Sequence, residues 1–415
     1  LASIMVCQPD VLILDEPTSQ LDPIAASDFF NTLRKINNEL GTTIILCEHR
    51  LEEVLPLADR VLAMQDGKVL VCDSPKTAGK YLSQINSELF LAMPSPMRIA
   101  QAVGTQNELP VNVREGRKFL NDYVHDKHKE VSFYEHDNNT TCTNPTKYED
   151  IISFKDVWFR YEKNGKDIVR DLSISIKKGT IHAVVGANGA GKTTLIKLIS
   201  RQVAAYRGKI LINNVNLKNV SDKELFHNNL AVLPQNPTVL FSCKTARLDL
   251  LDMLSDTNFT LEQKEEKVRK TASQVGLEPV LERHPFDLSG GEQQRLGLAK
   301  ILLCEPKIIL LDEPSKGLDQ CFKEEFAQIL YSLQERGITI VIVSHDIEFL
   351  AKHSDFCSMF FNGSITTTQK SKVFFAKNSF YTTAANRIAR KVFPNAVTDE
   401  EVIFECKSLL TKENS

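Results

Sequence analysis

"IHAVVGANGAGKTTLIKLIS", residues 181–200, decides the reading of this chain. An apolar, β-branched run ends in a glycine-rich turn, and a helix-forming stretch follows at once. Within it, Gly186–Thr194 fits the pattern G-x-x-x-x-G-K-[ST], set between a strand and a helix. Glycines there let successive backbone N–H groups turn toward one centre and cradle phosphate oxygens. The start of the helix adds a dipole that favours anions. This chemistry assigns Lys192 to the β- and γ-phosphates and the Thr193 hydroxyl to Mg2+. The loop by itself specifies a nucleotide and nothing finer.

"IILLDEP", residues 308–314, supplies the other half of such a site. A buried strand would end in Asp312, placed to hold Mg2+, and in Glu313, placed to polarise the attacking water. The runs 308–311 and 338–344 are uniformly apolar and separated by helical stretches, which predicts a parallel sheet covered on both faces. An alternating strand, "IISFKDVWFRY", opens the module at Ile151. The fold class expected is α/β.

The same segment occurs twice. "LASIMVCQPDVLILDEPTSQLD" (Leu1–Asp22) matches "LAKILLCEPKIILLDEPSKGLD" (Leu298–Asp319) at eleven of 22 positions. Asp15, Glu16 and Asp22 map to Asp312, Glu313 and Asp319, and His49 maps to His345. The tails repeat as well: "MRIAQAV" from Met97 and "NRIARKV" from Asn386 each precede a capping pattern, Asn112 with Glu115 and Thr398 with Glu401. The expected organisation is the back half of one module with its tail over 1–125, a polar linker over 126–150, and a complete second module over 151–415. Leu1 aligns with Leu298, so the expectation is a chain truncated at its N-terminus.

Composition excludes several classes. A net charge of −3 offers no basic footprint for nucleic acid. Nine cysteines, odd in number and without a CxxC pair, argue for reduced thiols and against a zinc or iron–sulfur site. No apolar run reaches the roughly 18–20 residues that span a bilayer. The linker histidines His125, His128 and His136 read as solvated, and Asn139 and Cys142 carry no assigned role.

"LSGGEQQ" (Leu288–Gln294), 24 residues before Asp312, resembles the signature of ATP-binding-cassette ATPases. That resemblance covers Ile151–Gly363 and, in the first copy, Leu1 to about Val71. It implies a P-loop NTPase fold with a parallel-sheet core, an antiparallel β-subdomain and a helical subdomain. It also implies ATP and Mg2+ as ligands. Tyr161 resembles the aromatic residue that stacks on adenine, and Gln235 the glutamine that reaches Mg2+ and links to the helical subdomain. Asp319 resembles the interface aspartate and His345 the switch histidine at the γ-phosphate. Carried over in this way, the catalytic residues are Glu313, His345 and Lys192. The nucleotide contacts are Tyr161, Gly186, Asn188, Gly189, Gly191, Lys192, Thr193, Thr194, Gln235, Ser289, Gly290, Gly291 and Asp319. The Mg2+ ligands are Thr193, Gln235 and Asp312, and Asp15, Glu16, Asp22 and His49 remain from the first copy.

In this family two modules sandwich two ATP molecules head to tail, each site joining one phosphate loop to the other module's signature. The first copy lacks both, so neither composite site closes within this chain. The intact form is expected to be a tandem ATPase, and the fragment is expected to pair through its second modules. "CEHRLEEVLPLADRVLAMQDGKV" (Cys47–Val69) and the tails resemble fused ATPase subunits of energy-coupling-factor vitamin importers. That likeness implies a peripheral ATPase on the cytoplasmic face of the plasma membrane. Its partners would be a transmembrane coupling protein and a substrate-binding membrane subunit, docked through Asn236–Leu254. Two other readings compete: a soluble tandem cassette working on ribosomes, and an inactive partner-binding remnant.

Overall fold

The computed structural model describes residues 1–18, 21–104, 108–128, 148–316, 318 and 320–411. Asp319, His136, Asn139 and Cys142 lie outside the described residues, as does the side chain of His128. The chain divides into two compact units: Leu1–Thr143 together with Phe375–Ser415, and Asn144–Phe374.

The first unit holds strands β1 (Val11–Asp15), β2 (Thr43–Cys47), β3 (Val61–Gln65) and β4 (Lys68–Asp73). β1 and β2 pair in parallel and β3 and β4 pair as a hairpin, forming two separate two-stranded sheets. Helix Pro23–Leu40 covers one face of β1 and β2 through Ala26, Phe30 and Leu33 against Leu12. The other face exposes Val11, Ile13 and Ile45.

The second unit contains β5 (Asp150–Phe159), β6 (Val169–Lys177), β7 (Ile181–Val185), β8 (Arg207–Ile212), β9 (Val215–Asn216), β10 (Leu230–Leu233), β11 (Ile308–Asp312), β12 (Thr339–Val343), β13 (Phe356–Phe361) and β14 (Ser364–Lys370). Its main sheet runs β10-β11-β12-β7-β13-β14, with every pair parallel except the β13–β14 hairpin. β7, β11 and β12 are buried along their whole lengths, which is why they read as unbroken apolar runs. An antiparallel sheet, β6-β5-β8-β9, packs onto the same core through Ile152, Phe154 and Ile174. Helices Ala246–Asp252, Leu261–Gln274 and Gly290–Leu303 form the helical part. The predicted strand–loop–helix is present: β7 ends at Val185 and the next helix spans Lys192–Ile199.

The repeated tails pack with each other. Ile99, Leu120 and Val124 of the first share one apolar cluster with Ala385, Ile388, Ala389, Val402 and Cys406 of the second. Arg98 ties them at 2.8 Å from Asp399. The sequence reading places Phe375–Ser415 with the second copy; by packing, this segment sides with the first. Both capping patterns form: Glu115 N–H donates to Asn112 Oδ1 at 2.9 Å, and Glu401 N–H to Thr398 Oγ1 at 3.3 Å. The short helix Leu51–Val54 leans on this body through Glu52, whose carboxylate accepts from Ser95 N–H at 2.5 Å.

Candidate active site

The phosphate loop is shaped by what lies beneath it. Gly186 has φ +156° and Gly191 φ +115°. A Cβ at Gly186 would collide with the Phe360 carbonyl, and one at Gly191 would sit 3.0 Å from the Phe360 ring. Phe360 is buried on β13, so its ring and backbone form the floor that forces glycine at both positions. Asn188 and Gly189 lie exposed at the loop tip.

Lys192 begins the helix and is buried. Its Nζ donates to Gly186 O at 2.8 Å and to Ala187 O at 3.0 Å, and lies 3.2 Å from His345 Nε2. Thr193 Oγ1 donates to Asp312 Oδ1 at 3.3 Å. Burial pushes the Asp312 carboxyl above its ordinary range, and the Thr193 bond and the Lys192 and Lys197 charges pull it partly back. Glu313, one residue beyond the strand, takes φ +51°, which turns its side chain off the sheet end. Its Oε2 accepts from Ser344 Oγ at 3.1 Å and from His345 N–H at 3.2 Å, while Oε1 lies 3.2 Å from His345 Nε2. Burial raises its carboxyl to about 7 against the lowering effects of His345 N–H, Lys192 and Ser344. An acid near 7 and hydrogen-bonded in place is suited to accept a proton at neutral pH.

Tyr161 is exposed, and its hydroxyl is 3.2 Å from Thr194 Oγ1. One edge meets Phe159, and Lys197 Nζ is 5.9 Å from its ring centroid. Gln235 lies exposed just after β10. Ser289 caps the helix Gly290–Leu303: Glu292 N–H donates to its hydroxyl at 3.3 Å, and Ser289 N–H donates to Glu292 at 2.7 Å.

Hydrogen bonds thus join Gly186, Lys192, His345 and Glu313 in one network and Thr193 with Asp312 in another; the two are neighbours in one cluster because Lys192 precedes Thr193 and Asp312 precedes Glu313, and Tyr161 reaches the same helix start by way of Thr194. Among the described residues that cluster does not include Gln235, Ser289, Gly290 or Gly291. Sequence reasoning missed two contributors. Ser344 precedes His345 and anchors Glu313, a role that "VSHD" could have suggested. Phe360 left no local signal, because its contact with the loop arises from the β7–β13 pairing.

The residues fit a Mg2+-bound nucleotide. Among the described residues no group of three or more His, Cys, Asp or Glu side chains could hold a metal. Mg2+ at phosphate loops needs none, because one carboxylate and one hydroxyl complete a shell otherwise made of water and phosphate oxygens. Asp312 and Thr193 would supply that pair, and the Lys192 ammonium would supply countercharge.

The corresponding residues of the first copy repeat part of this arrangement. Glu16 takes φ +42°, and its Oε1 lies 2.9 Å from His49 Nε2. Asp15 ends β1, and Asp22 caps helix Pro23–Leu40 by accepting from Ala25 N–H at 2.8 Å.

Residues 169–316 match the family model described as ABC transporter. A Bacillus anthracis protein named as an ABC transporter ATP-binding protein is 39% identical over 408 residues, covering 98% of this chain and 72% of its own length. One of the same description from Clostridium tetani is 32% identical over 393 residues, 94% of this chain and 84% of that protein. The solved structure of CbiO1 from Clostridium perfringens has the same fold, with TM-score 0.52 and 24% identity over 62% of this chain and all of that one. The chain therefore belongs to the ATP-binding proteins of ABC transporters, P-loop ATPases that bind ATP with Mg2+ and hydrolyse it.

Proposed function

We propose that this chain energises a membrane importer of a vitamin or similar micronutrient, of the energy-coupling-factor type. It works at the cytoplasmic face of the plasma membrane, beside a transmembrane coupling protein and a substrate-binding subunit. Two cassettes act together, here through pairing of the second unit with that of another copy. Gln235 joins Thr193 and Asp312 around Mg2+, and Ser289–Gly291 faces the nucleotide of the opposing cassette.

At the site, Lys192 would hold the terminal phosphates while Glu313, fixed by Ser344 and the His345 amide, takes the proton of the attacking water. His345, between Lys192 and Glu313, would sense the γ-phosphate. Phe360 keeps water from below the loop.

The observation that carries the importer reading is an apolar surface on the helical part. Val239 is 70% exposed and Leu248 is exposed in the stretch Asn236–Leu254, and Phe286, beyond that stretch, is exposed 6.3 Å from the Phe241 ring. Pro237, Phe241, Ala246 and Leu250 from the same stretch are buried, so only part of Asn236–Leu254 is free to dock. No helix among the described residues is long and apolar enough to cross a membrane.

The test is ATP-driven uptake in cells carrying the complete importer. Val239→Glu with Leu248→Glu should abolish uptake and recovery of the chain with membranes, while soluble ATP hydrolysis persists. Uptake unaffected by both changes would sink the docking surface. Association with ribosomes in place of membranes would sink the importer.

A further inference from the structure

Tyr161 stands near the start of an exposed loop, and three side chains brace that loop. β5 ends at Phe159 and β6 begins at Val169. The neck of the connection is shut by Ile168 N–H, which donates to Phe159 O at 2.9 Å. Beyond the neck Tyr161, Glu162, Lys163 and Asn164 are exposed, so burial contributes little to their order. Arg160 Nη1 donates to Lys163 O at 3.0 Å, and its Nε lies 3.3 Å from Asp167 Oδ1. The same guanidinium lies 4.5 Å from the centre of the Tyr206 ring. Tyr206 OH donates to Asp167 Oδ1 at 3.0 Å, and Arg170 Nε donates to Asp167 O at 3.2 Å. Arg160 at the entry of the loop, Asp167 at its exit and Tyr206 before β8 thus meet one another in every pair.

Backbone fixes Tyr206 in turn. Its N–H donates to Trp158 O at 3.2 Å, and the β5–β8 register shifts between Lys155 and Trp158. Gly208, at φ +88°, lets β8 come so near β5 that a Cβ there would lie 2.6 Å from Val157 Cα. An ion pair with its side chains 33% and 25% exposed adds little to stability. With the ring beside it, the pair orders a loop that would otherwise sample many conformations. Tyr161 is directed by that order. Its ring meets Phe159 edge-on at 4.8 Å between centroids, and its hydroxyl is 3.2 Å from Thr194 Oγ1, on the helix after the phosphate loop.

We propose that Arg160, Asp167 and Tyr206 are positioning residues that hold the loop between β5 and β6 in the conformation presenting the Tyr161 ring to the base of the nucleotide. This rests on the expectation that Tyr161 stacks on adenine. The three residues stand apart from the cluster around Lys192 and Glu313 and act through Tyr161. Because the loop is ordered before the nucleotide arrives, binding does not have to pay for ordering it. The consequence is selective: the brace strengthens the hold on a base and leaves the hold on the phosphates unchanged.

Titration calorimetry of the full chain, with Mg2+ and either ATP or inorganic tripolyphosphate, which carries no base, tests this. Asp167→Ala should weaken ATP binding by about three- to tenfold and leave tripolyphosphate binding unchanged. Tyr206→Phe, which keeps the ring and removes the hydroxyl, should give the same selective loss to a smaller degree. In turnover Asp167→Ala should raise KM for ATP by a similar factor at an unchanged kcat. Tyr161→Ala should itself weaken ATP selectively, and adding Asp167→Ala to it should weaken ATP no further, since residues acting as one unit are not additive. ATP binding by Asp167→Ala at the parent's strength overturns the proposal, as does a further loss in the double variant. Equal losses for ATP and tripolyphosphate overturn it too, by placing the effect at the phosphate loop. If Tyr161→Ala leaves ATP binding intact, the stacking expectation falls, and the proposal with it.

Discussion

Glu16 and Glu313 follow the same strand in two copies of one sequence, and their surroundings differ. Both take a left-handed turn, φ +42° and +51°, and both lie within 3.2 Å of a histidine ring, His49 or His345. Their backbones are also held alike, with Glu16 N–H donating to Cys47 O and Glu313 N–H to Val343 O. Yet the His345–Glu313 side chains are each 15% exposed, whereas those of His49 and Glu16 are 55% and 42% exposed. Burial raises the Glu313 carboxyl to about 7. The local turn is therefore written in the repeated segment, and the electrostatics come from what packs around it. In the second unit that is β7, the phosphate loop and the buried Lys192; among the described residues the first unit has no counterpart of any of them.

The largest test of this contrast is chemical. Glu313→Gln and Lys192→Ala should each lower ATP hydrolysis by at least about 10²-fold, measured as phosphate release. A residual rate near the parent's would mean that the first copy's exposed glutamate can serve catalysis after all.

Packing gives the next effect. Leu310→Ala on fully buried β11 should cost about 3 kcal/mol in chemical denaturation. The corresponding strand of the first unit exposes Ile13, so Ile13→Ala should fall within about 0.5 kcal/mol. Equal costs would show that the face of β1 is covered in solution.

A third effect belongs to β7, the strand without a first-copy counterpart. His182 on this strand is buried against Ser358, its Nε2 2.8 Å from Oγ, and burial lowers its pKa to about 4. The neutral ring is thus the folded form. Stability is complete above the unfolded value of 6.5 and declines as pH falls toward 4, by up to about 3 kcal/mol. His182→Gln should flatten that part of the urea-midpoint profile for the second unit.

The smallest effect is expected in the first unit. Burial raises the Glu52 carboxyl above 4.5, opposed chiefly by the Ser95 backbone bond. Raised in the fold, this group costs stability as pH rises through 4.5 and upward. Glu52→Gln keeps an acceptor for Ser95 N–H, so its melting temperature relative to the parent should climb from about pH 4.5 to neutrality. A flat difference would place the carboxyl in contact with solvent.

Much of this was legible in the chain because the relevant physics is local. The strand–loop–helix around Gly186 follows from glycines between a β-branched run and a helix-forming run. Both tail caps follow from Asn112 with Glu115 and Thr398 with Glu401, whose partners stand three residues apart. The meeting of Thr193 and Asp312 needed only the phosphate-loop and Asp-Glu patterns, since Thr193 stands at the start of the helix after β7 and Asp312 at the end of β11. The allegiance of Phe375–Ser415 was not legible, because Ile388 and Val402 are apolar in a way that suits any core; only assembly shows them against Ile99 and Leu120. The anchoring of Glu313 by Ser344 was equally hidden, as was the floor that Phe360 lays under Gly186.

The sequence by itself determined the phosphate loop, the order of its motifs, the duplication and the family, because each depends on residues close in the chain or repeated along it. Tertiary structure alone decided which tail packs where, and which of two identical Asp-Glu turns is buried enough to hold a proton near neutrality. Those outcomes depend on residues dozens or hundreds of positions apart, brought together only when the sheets and helices close on a common core.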